Sequence, residues 1–279
     1  MTTSTTSRAP KSPMQQPETW SAIASGYAGA GKLFEVFQER ALALLGDLRG
    51  KRVLDVACGP GALARSAAGR GAQVVATDFA PGMVEELRRL AAAEGLADAI
   101  DAHVMNAEAL ALENASFDAV FCLFGFMFFP DRARAFGELN RVLKPGGRAV
   151  ILTWGPIERR PLMQIGFQAM GEALPDVSPP QKGDLQEPAE CVAELSAAGF
   201  VDVSSEPVVG EARFESASHY AQVMEDTSGP LKLLRTRMGE EAWAGVRERF
   251  LAAASRRLPA DGPFTLGAEA LLTQGRKLG

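Results

Sequence analysis

The sequence predicts a doubly wound α/β fold, a parallel sheet with helices on both faces, and three observations carry that prediction. From residue 50 onward, short apolar runs alternate with helix-length segments. A glycine turn, Gly59-Pro60-Gly61, closes the first run, and an acid, Asp78, closes the second, 19 residues after Gly59. Alternation at this spacing implies βαβ units with right-handed connections and strands buried on both faces.

The elements follow in order. Residues 1–17 are rich in Ser, Thr, Pro and Gln and lack an apolar stretch, so they read as a disordered tail before a domain at 18–279. Over 20–48, Leu33, Val36, Phe37, Ala41, Leu44 and Leu45 recur at three- and four-residue spacing, a helical pattern. Residues 52–57 read as a continuous apolar strand holding one acid, Asp55. A short helix at 62–68 stops at Gly69 and Gly71, a second strand occupies 73–77, and Pro81 opens a helix running to about residue 94. Strands are expected near 102–105, 117–123 and 148–154, with a helix at about 132–142 and a turn at Lys144-Pro145-Gly146-Gly147. Beyond them, the proline-rich stretch 155–186 holds one helix around 162–174. A helix at 188–198 and a strand at 200–203 return to the sheet. Residues 214–258 read as helix interrupted at Gly229-Pro230, and 264–272 as a final strand.

Composition excludes several functions. The formal charge of −5 offers no basic field to hold nucleic acid or an anionic membrane. No apolar run approaches the roughly 18 residues that span a bilayer. Cys58, Cys122 and Cys191 show neither metal-ligand spacing nor a disulfide framework, which fits a reducing, cytoplasmic compartment. With only His103 and His219, no histidine-based metal site is expected, and none built on other ligands.

The chemistry concentrates in Val53-Leu54-Asp55-Val56-Ala57-Cys58-Gly59-Pro60-Gly61. A glycine turn after a buried strand lets the backbone approach a ligand, and the next helix offers free N–H groups there. Asp55 is the sharper clue, because an acid inside an apolar strand is costly without a partner. The same glycines and Asp78 also satisfy the loose dinucleotide pattern G-x-G-x-x-G/A, since a carboxylate ending the second strand suits any ribose diol. An NAD(P)-dependent oxidoreductase therefore stays open at this point.

Further motifs carry a resemblance. Val53–Gly61 resembles motif I of the class I methyltransferases that use S-adenosylmethionine (SAM), with Ala57 where V-L-D-x-G-C-G-x-G has glycine. Thr77-Asp78-Phe79-Ala80-Pro81-Gly82-Met83 resembles the D-x-S-x-x-M segment, and Asn106-Ala107-Glu108-Ala109-Leu110 the D-A-E-x-L segment. Phe117-Asp118-Ala119-Val120 and Arg141-Val142-Leu143-Lys144-Pro145-Gly146-Gly147-Arg148 complete the series over about residues 50–155. The similarity is greatest to the quinone-biosynthesis and small-molecule branch, in which a W…Y pair like Trp20 and Tyr27 precedes the fold.

The resemblance implies a Rossmann-like, doubly wound seven-stranded sheet whose last strand is antiparallel. It implies SAM as cofactor and a small organic methyl acceptor, with neither nucleic acid nor membrane as partner, and it leaves the oligomeric state open. Cofactor contacts fall on Tyr27, Asp55, Ala57, Gly59, Gly61, Asp78, Phe79, Met83, Asn106, Ala107 and Cys122. In this reading Asp55 faces the amino group, Asp78 the ribose hydroxyls and Asn106 the adenine. The apolar run after the fourth strand, with Phe124, Met127 and Phe128, and Trp154 after the fifth, would wall an apolar or aromatic acceptor. Helical lid insertions at about 155–187 and 214–261 would cover that site. Transfer is an in-line displacement without metal, and if a base takes part, His219 and Tyr27 are the candidates. Arg159-Arg160 reads as a solvated turn, with binding of an acceptor carboxylate as the alternative. A non-catalytic SAM-binding regulator would share every cofactor residue.

Overall fold

The structure, a computed structural model, describes residues 13–29, 31–175 and 185–279. Most of the expected tail (1–12), and Pro179 and Pro180, lie outside the described residues, as does the side chain of Leu33. The strands are β1 (Arg52–Val56), β2 (Gln73–Asp78), β3 (Ile100–Val104), β4 (Phe117–Leu123), β5 (Leu143–Trp154), β6 (Phe200–Phe214) and β7 (Phe264–Lys277). They form one sheet in the order β3-β2-β1-β4-β5-β7-β6. The first five pair in parallel, and β7 runs antiparallel to both β5 and β6, as expected.

The helices are α1 (Pro17–Ser21), α2 (Ala24–Gly29), α3 (Gly31–Ala43), α4 (Ala62–Gly69), α5 (Pro81–Ala93), α6 (Arg132–Val142), α7 (Pro161–Ala173), α8 (Pro188–Ala197), α9 (Ala217–Thr227), α10 (Gly229–Met238) and α11 (Glu240–Ser255). Successive strand residues feed opposite faces. Val53, Val74, Phe121 and Val150 join the core under α3, α4 and α5. Leu54, Val75, Val120 and Ile151 join the one under α6 and α8. Two buried faces explain why these strands are unbroken apolar runs. Asp131 caps α6 by accepting the Arg134 N–H at 3.0 Å.

A third core lies outside the sheet. Ala169 of α7, Tyr220 of α9 and Trp243 and Phe250 of α11 pack with Phe214 and Ala268 at the ends of β6 and β7. The Tyr220 hydroxyl donates to the Leu162 carbonyl at 2.8 Å and ties α9 to α7.

Three sequence expectations need correction. The stretch 20–48 is not one helix: α1 ends at Ser21, α2 covers Ala24–Gly29 and α3 starts at Gly31, in a segment where Gly26, Gly29 and Gly31 weaken helix propensity. Gly26 also permits close docking, because a Cβ there would stand 2.6 Å from the Asp226 carbonyl oxygen of α9. The tail does not reach residue 17, since Pro13–Gln15 form a turn and the Met14 carbonyl accepts the Trp20 Nε1–H at 2.9 Å. The strand begun at Phe200 continues to Phe214. Its polar stretch Ser204-Ser205-Glu206-Pro207 reads as loop, yet β6 is the sheet edge, where one side meets solvent and a proline is tolerated.

Candidate active site

The strand order reverses between β1 and β4, and a cavity of about 600 Å³ opens there, outside the carboxyl ends of the parallel strands. Leaving β1, the backbone turns left-handed at Ala57 (φ 53°), Gly59 (φ 56°) and Gly61 (φ 75°). That turn is pinned from below. The Gly59 N–H donates to Asp78 Oδ2 at 2.9 Å, and the Ala80 N–H to Asp78 Oδ1 at 2.9 Å. One carboxylate thus fixes the loops after β1 and after β2, and both loops line the cavity.

Two buried acids share this space. Asp55 is 2 % exposed and lines the cavity, and its Oδ2 has no hydrogen-bond partner. Burial, then the nearby Asp78 charge, push its carboxyl up to about 8. Burial raises Asp78 to about 6, against the backbone N–H groups that favour its ionised form. Burial followed by the Asp78 charge also lifts the Tyr27 hydroxyl to about 12. Two buried acids near the glycine turn favour a cationic ligand, whose charge stabilises their ionised forms.

Helices α1 and α2 roof the cavity. The Gly82 N–H donates to Ser21 Oγ at 3.1 Å, and a Cβ on Gly82 would lie 2.8 Å from that of Ser21, so α1 sits hard against the start of α5. Trp20 meets Phe128 edge-on at 5.2 Å, and Tyr27 stacks on Phe34 at 5.7 Å. Phe124, in a left-handed conformation rare for an aromatic residue (φ 61°), stacks on Trp154 at 4.1 Å.

Most of the expected residues come together. Tyr27, Asp55, Ala57, Gly59, Asp78, Phe79, Met83, Asn106, Ala107, Phe124 and Phe128 line the cavity. Asn106 Oδ1 accepts the Glu108 N–H at 3.0 Å, so its carbonyl also shapes its own loop. Gly61, Cys122, Met127 and Trp154 are not among the lining residues. At Gly61 a Cβ would fall 2.0 Å from Leu87 Cδ1, so its glycine serves the packing of α5. Cys122 is fully buried and its neighbour Leu123 faces the cavity instead, while Trp154 stands behind Phe124. His219 is exposed. Its Nδ1 accepts the Glu215 N–H at 3.2 Å at the start of α9, away from the cavity lining. Among the described residues of 155–187 and 214–261, none lines the cavity, and the described residues over it belong to α1 and α2. Phe34, Gln38 and Leu123 are lining residues that sequence reading missed, and Phe129 of the apolar run after β4 also lines the cavity. Only the W…Y pair upstream signalled that this segment belongs to the site.

Residues 54–151 match the model of a family described as a methyltransferase domain. A demethylmenaquinone methyltransferase of Clavibacter sepedonicus is 34 % identical over 174 residues, which cover 59 % of this chain and 67 % of that protein. One from Thermus thermophilus is 45 % identical over 124 residues, 43 % of this chain and 54 % of that protein, so this chain spans little more than half of it. Among solved structures, the [4+2]-cyclase SpnF superposes with a TM-score of 0.58 at 19 % identity, covering 97 % of this chain and 99 % of that one. That likeness shows the fold alone, and a fold does not fix a reaction.

Proposed function

The chain belongs to the class I SAM-dependent methyltransferase family, and we propose that it transfers the methyl group of SAM to a small, apolar or aromatic organic acceptor. The observation that carries this reading is Asp55, a buried carboxylate in the cavity with one oxygen unpartnered beside the glycine turn. SAM brings a sulfonium and an amino group to such a site, and an unpartnered buried carboxyl suits a cationic ligand.

Bound SAM supplies the electrophilic methyl carbon, and the protein's work is binding, orientation and exclusion of water. The Asp78 oxygens keep lone pairs free beyond the Gly59 and Ala80 N–H groups, and these accept a ribose diol. Asp55 balances the amino group, while Phe79, Met83 and Ala107 pack the adenine. Trp20 and Tyr27 close the cavity, and Phe34, Phe124, Phe128 and Phe129 give it an apolar, aromatic wall for the acceptor. The quinone substrate named for the relatives makes quinols the first acceptors to try.

Calorimetry with SAM, S-adenosylhomocysteine and NAD(H) tests the cofactor, and micromolar NAD(H) binding would sink the assignment. A screen for S-adenosylhomocysteine release over quinols, phenols, amines and fatty acids tests catalysis. Tight SAM binding without turnover on any acceptor would favour a SAM-binding regulator.

A further inference from the structure

Arg159 and Arg160 share a turn and have opposite fates. Arg159 is exposed and pairs with Glu269 Oε1 at 3.2 Å. Arg160 is only 6 % exposed and, among the described residues, has no carboxylate partner within ion-pair distance. Its Nε is buried without any hydrogen bond, and its Nη1 reaches only the Met163 sulfur at 3.3 Å. Burial pulls its guanidinium down to about 10, with Glu158 the one acid whose charge works the other way. A solvated turn is thus the wrong description of Arg160. An Nε–H taken from water and left without an acceptor is costly unless something supplies the anion.

The position of Arg160 indicates what supplies it. It follows the carboxyl end of β5, on the side of the sheet where the cavity opens. Its Cζ lies 5.9 Å from the Trp154 ring, and Trp154 stacks at 4.1 Å on Phe124, which lines the cavity. The guanidinium is therefore within about 10 Å of the cavity's aromatic wall, the length of a substituted aromatic molecule. Trp154 packs against Phe34, Phe37 and Phe124 and remains half-buried, so part of it stays open outside the core. Arg160 is also the N-cap residue of α7, a 13-residue helix whose positive end adds to the same field.

Resting on the methyltransferase reading, we propose that Arg160 is the residue that recognises a carboxylate on the methyl acceptor, the acceptor's apolar body lying against Phe124 and Trp154. The guanidinium fork binds a carboxylate bidentately, which fixes orientation as well as affinity. This selects aromatic or alkyl acids over neutral molecules of the same shape.

The test titrates matched pairs, benzoate with benzamide, cinnamate with cinnamamide and octanoate with octanamide, into protein saturated with S-adenosylhomocysteine. At least one acid is expected to bind ten times more tightly than its amide. Arg160→Gln should abolish that preference and leave S-adenosylhomocysteine affinity within twofold. Should Arg160→Gln fail to fold, Arg160→Lys keeps the charge and loses the fork, and it should reduce the preference without erasing it. The proposal is overturned by equal binding of every acid and its amide, or by a preference that survives loss of the guanidinium. Failure of wild-type protein to bind S-adenosylhomocysteine would instead remove the methyltransferase reading, and the acid–amide comparison, run without it, would still judge Arg160.

Discussion

A Cβ placed on Gly125 would stand 2.7 Å from the Cβ of Ala57. Only one methyl group fits between the end of β1 and the turn after β4, and Ala57 supplies it from a left-handed backbone. The motif that this segment resembles has glycine at that position, so the methyl at 57 and the bare backbone at 125 form a matched pair on the cavity lining.

That pairing predicts coupling. Gly125→Ala overpacks the site and should cost about 1–3 kcal/mol. Ala57→Gly relieves a left-handed conformation worth about 1–2 kcal/mol, against roughly 0.4–1 kcal/mol of added freedom in the unfolded chain, and so ends between neutral and modestly stabilising. The double variant should recover part of the Gly125→Ala loss, though not all, because Cys122 Sγ lies 2.8 Å from the same Cβ position. Denaturant unfolding of the four proteins measures this, and strictly additive changes would mean that the two sites are independent.

Asp78 holds the loops after β1 and β2 through the Gly59 and Ala80 N–H groups. Asp78→Ala should weaken SAM binding by one to two powers of ten, at about 1.5–3 kcal/mol for each charge-assisted hydrogen bond lost. Asp78→Asn keeps one acceptor and should lose less. Calorimetry on both variants ranks them, and an unchanged Kd in Asp78→Ala would remove the ribose contact.

The two buried acids make stability depend on pH in a defined direction. Asp55 titrates at about 8 and Asp78 at about 6 in the folded protein, both raised by burial from 3.8. Below pH 4 both states hold these protons. As pH rises, the unfolded chain releases them near 4 and the folded protein only near 6 and 8. Ligand-free stability therefore falls across pH 4–8. Asp55→Asn should flatten the decline between pH 6 and 8, as read from melting temperatures. SAM, being cationic, should bind more tightly as pH rises from 6.5 to 8.5 and release a proton at pH 7. An affinity that does not change with pH would mean that Asp55 does not face the cofactor's charge.

Of the two candidate bases, Tyr27 lines the cavity and His219 does not. Removing a general base costs on the order of 100- to 10,000-fold in rate. His219→Ala should cost less than about tenfold, since His219 braces the start of α9 outside the cavity. Tyr27, raised to about 12, keeps its proton at neutral pH, so Tyr27→Phe should act on SAM affinity more than on kcat. Turnover at saturating SAM with a chelator present should match turnover without it. A thousandfold loss in His219→Ala, or activity restored only by magnesium, would refute this reading.

The sequence by itself determined the sheet and the cofactor side of the cavity. Those features are local: a strand buried on both faces is an apolar run, a left-handed turn needs glycine or a small residue, and the acids sit at strand ends set by that same pattern. Tertiary structure alone decided what lies over the cavity. The α1–α2 roof depends on close approaches at Gly26 and Gly82 to elements about 200 and 61 residues away in sequence, and no periodicity encodes such a distance. The segments 155–187 and 214–261 read as lids because the first is proline-rich and the second a late helical insertion, but the apolar faces of their described helices meet each other and the ends of β6 and β7. The extension of edge strand β6 beyond residue 203 escaped because solvent on one side lets it carry polar residues. Arg160 escaped for the converse reason: a charged side chain reads as surface until the packing of α7 buries it beside Trp154.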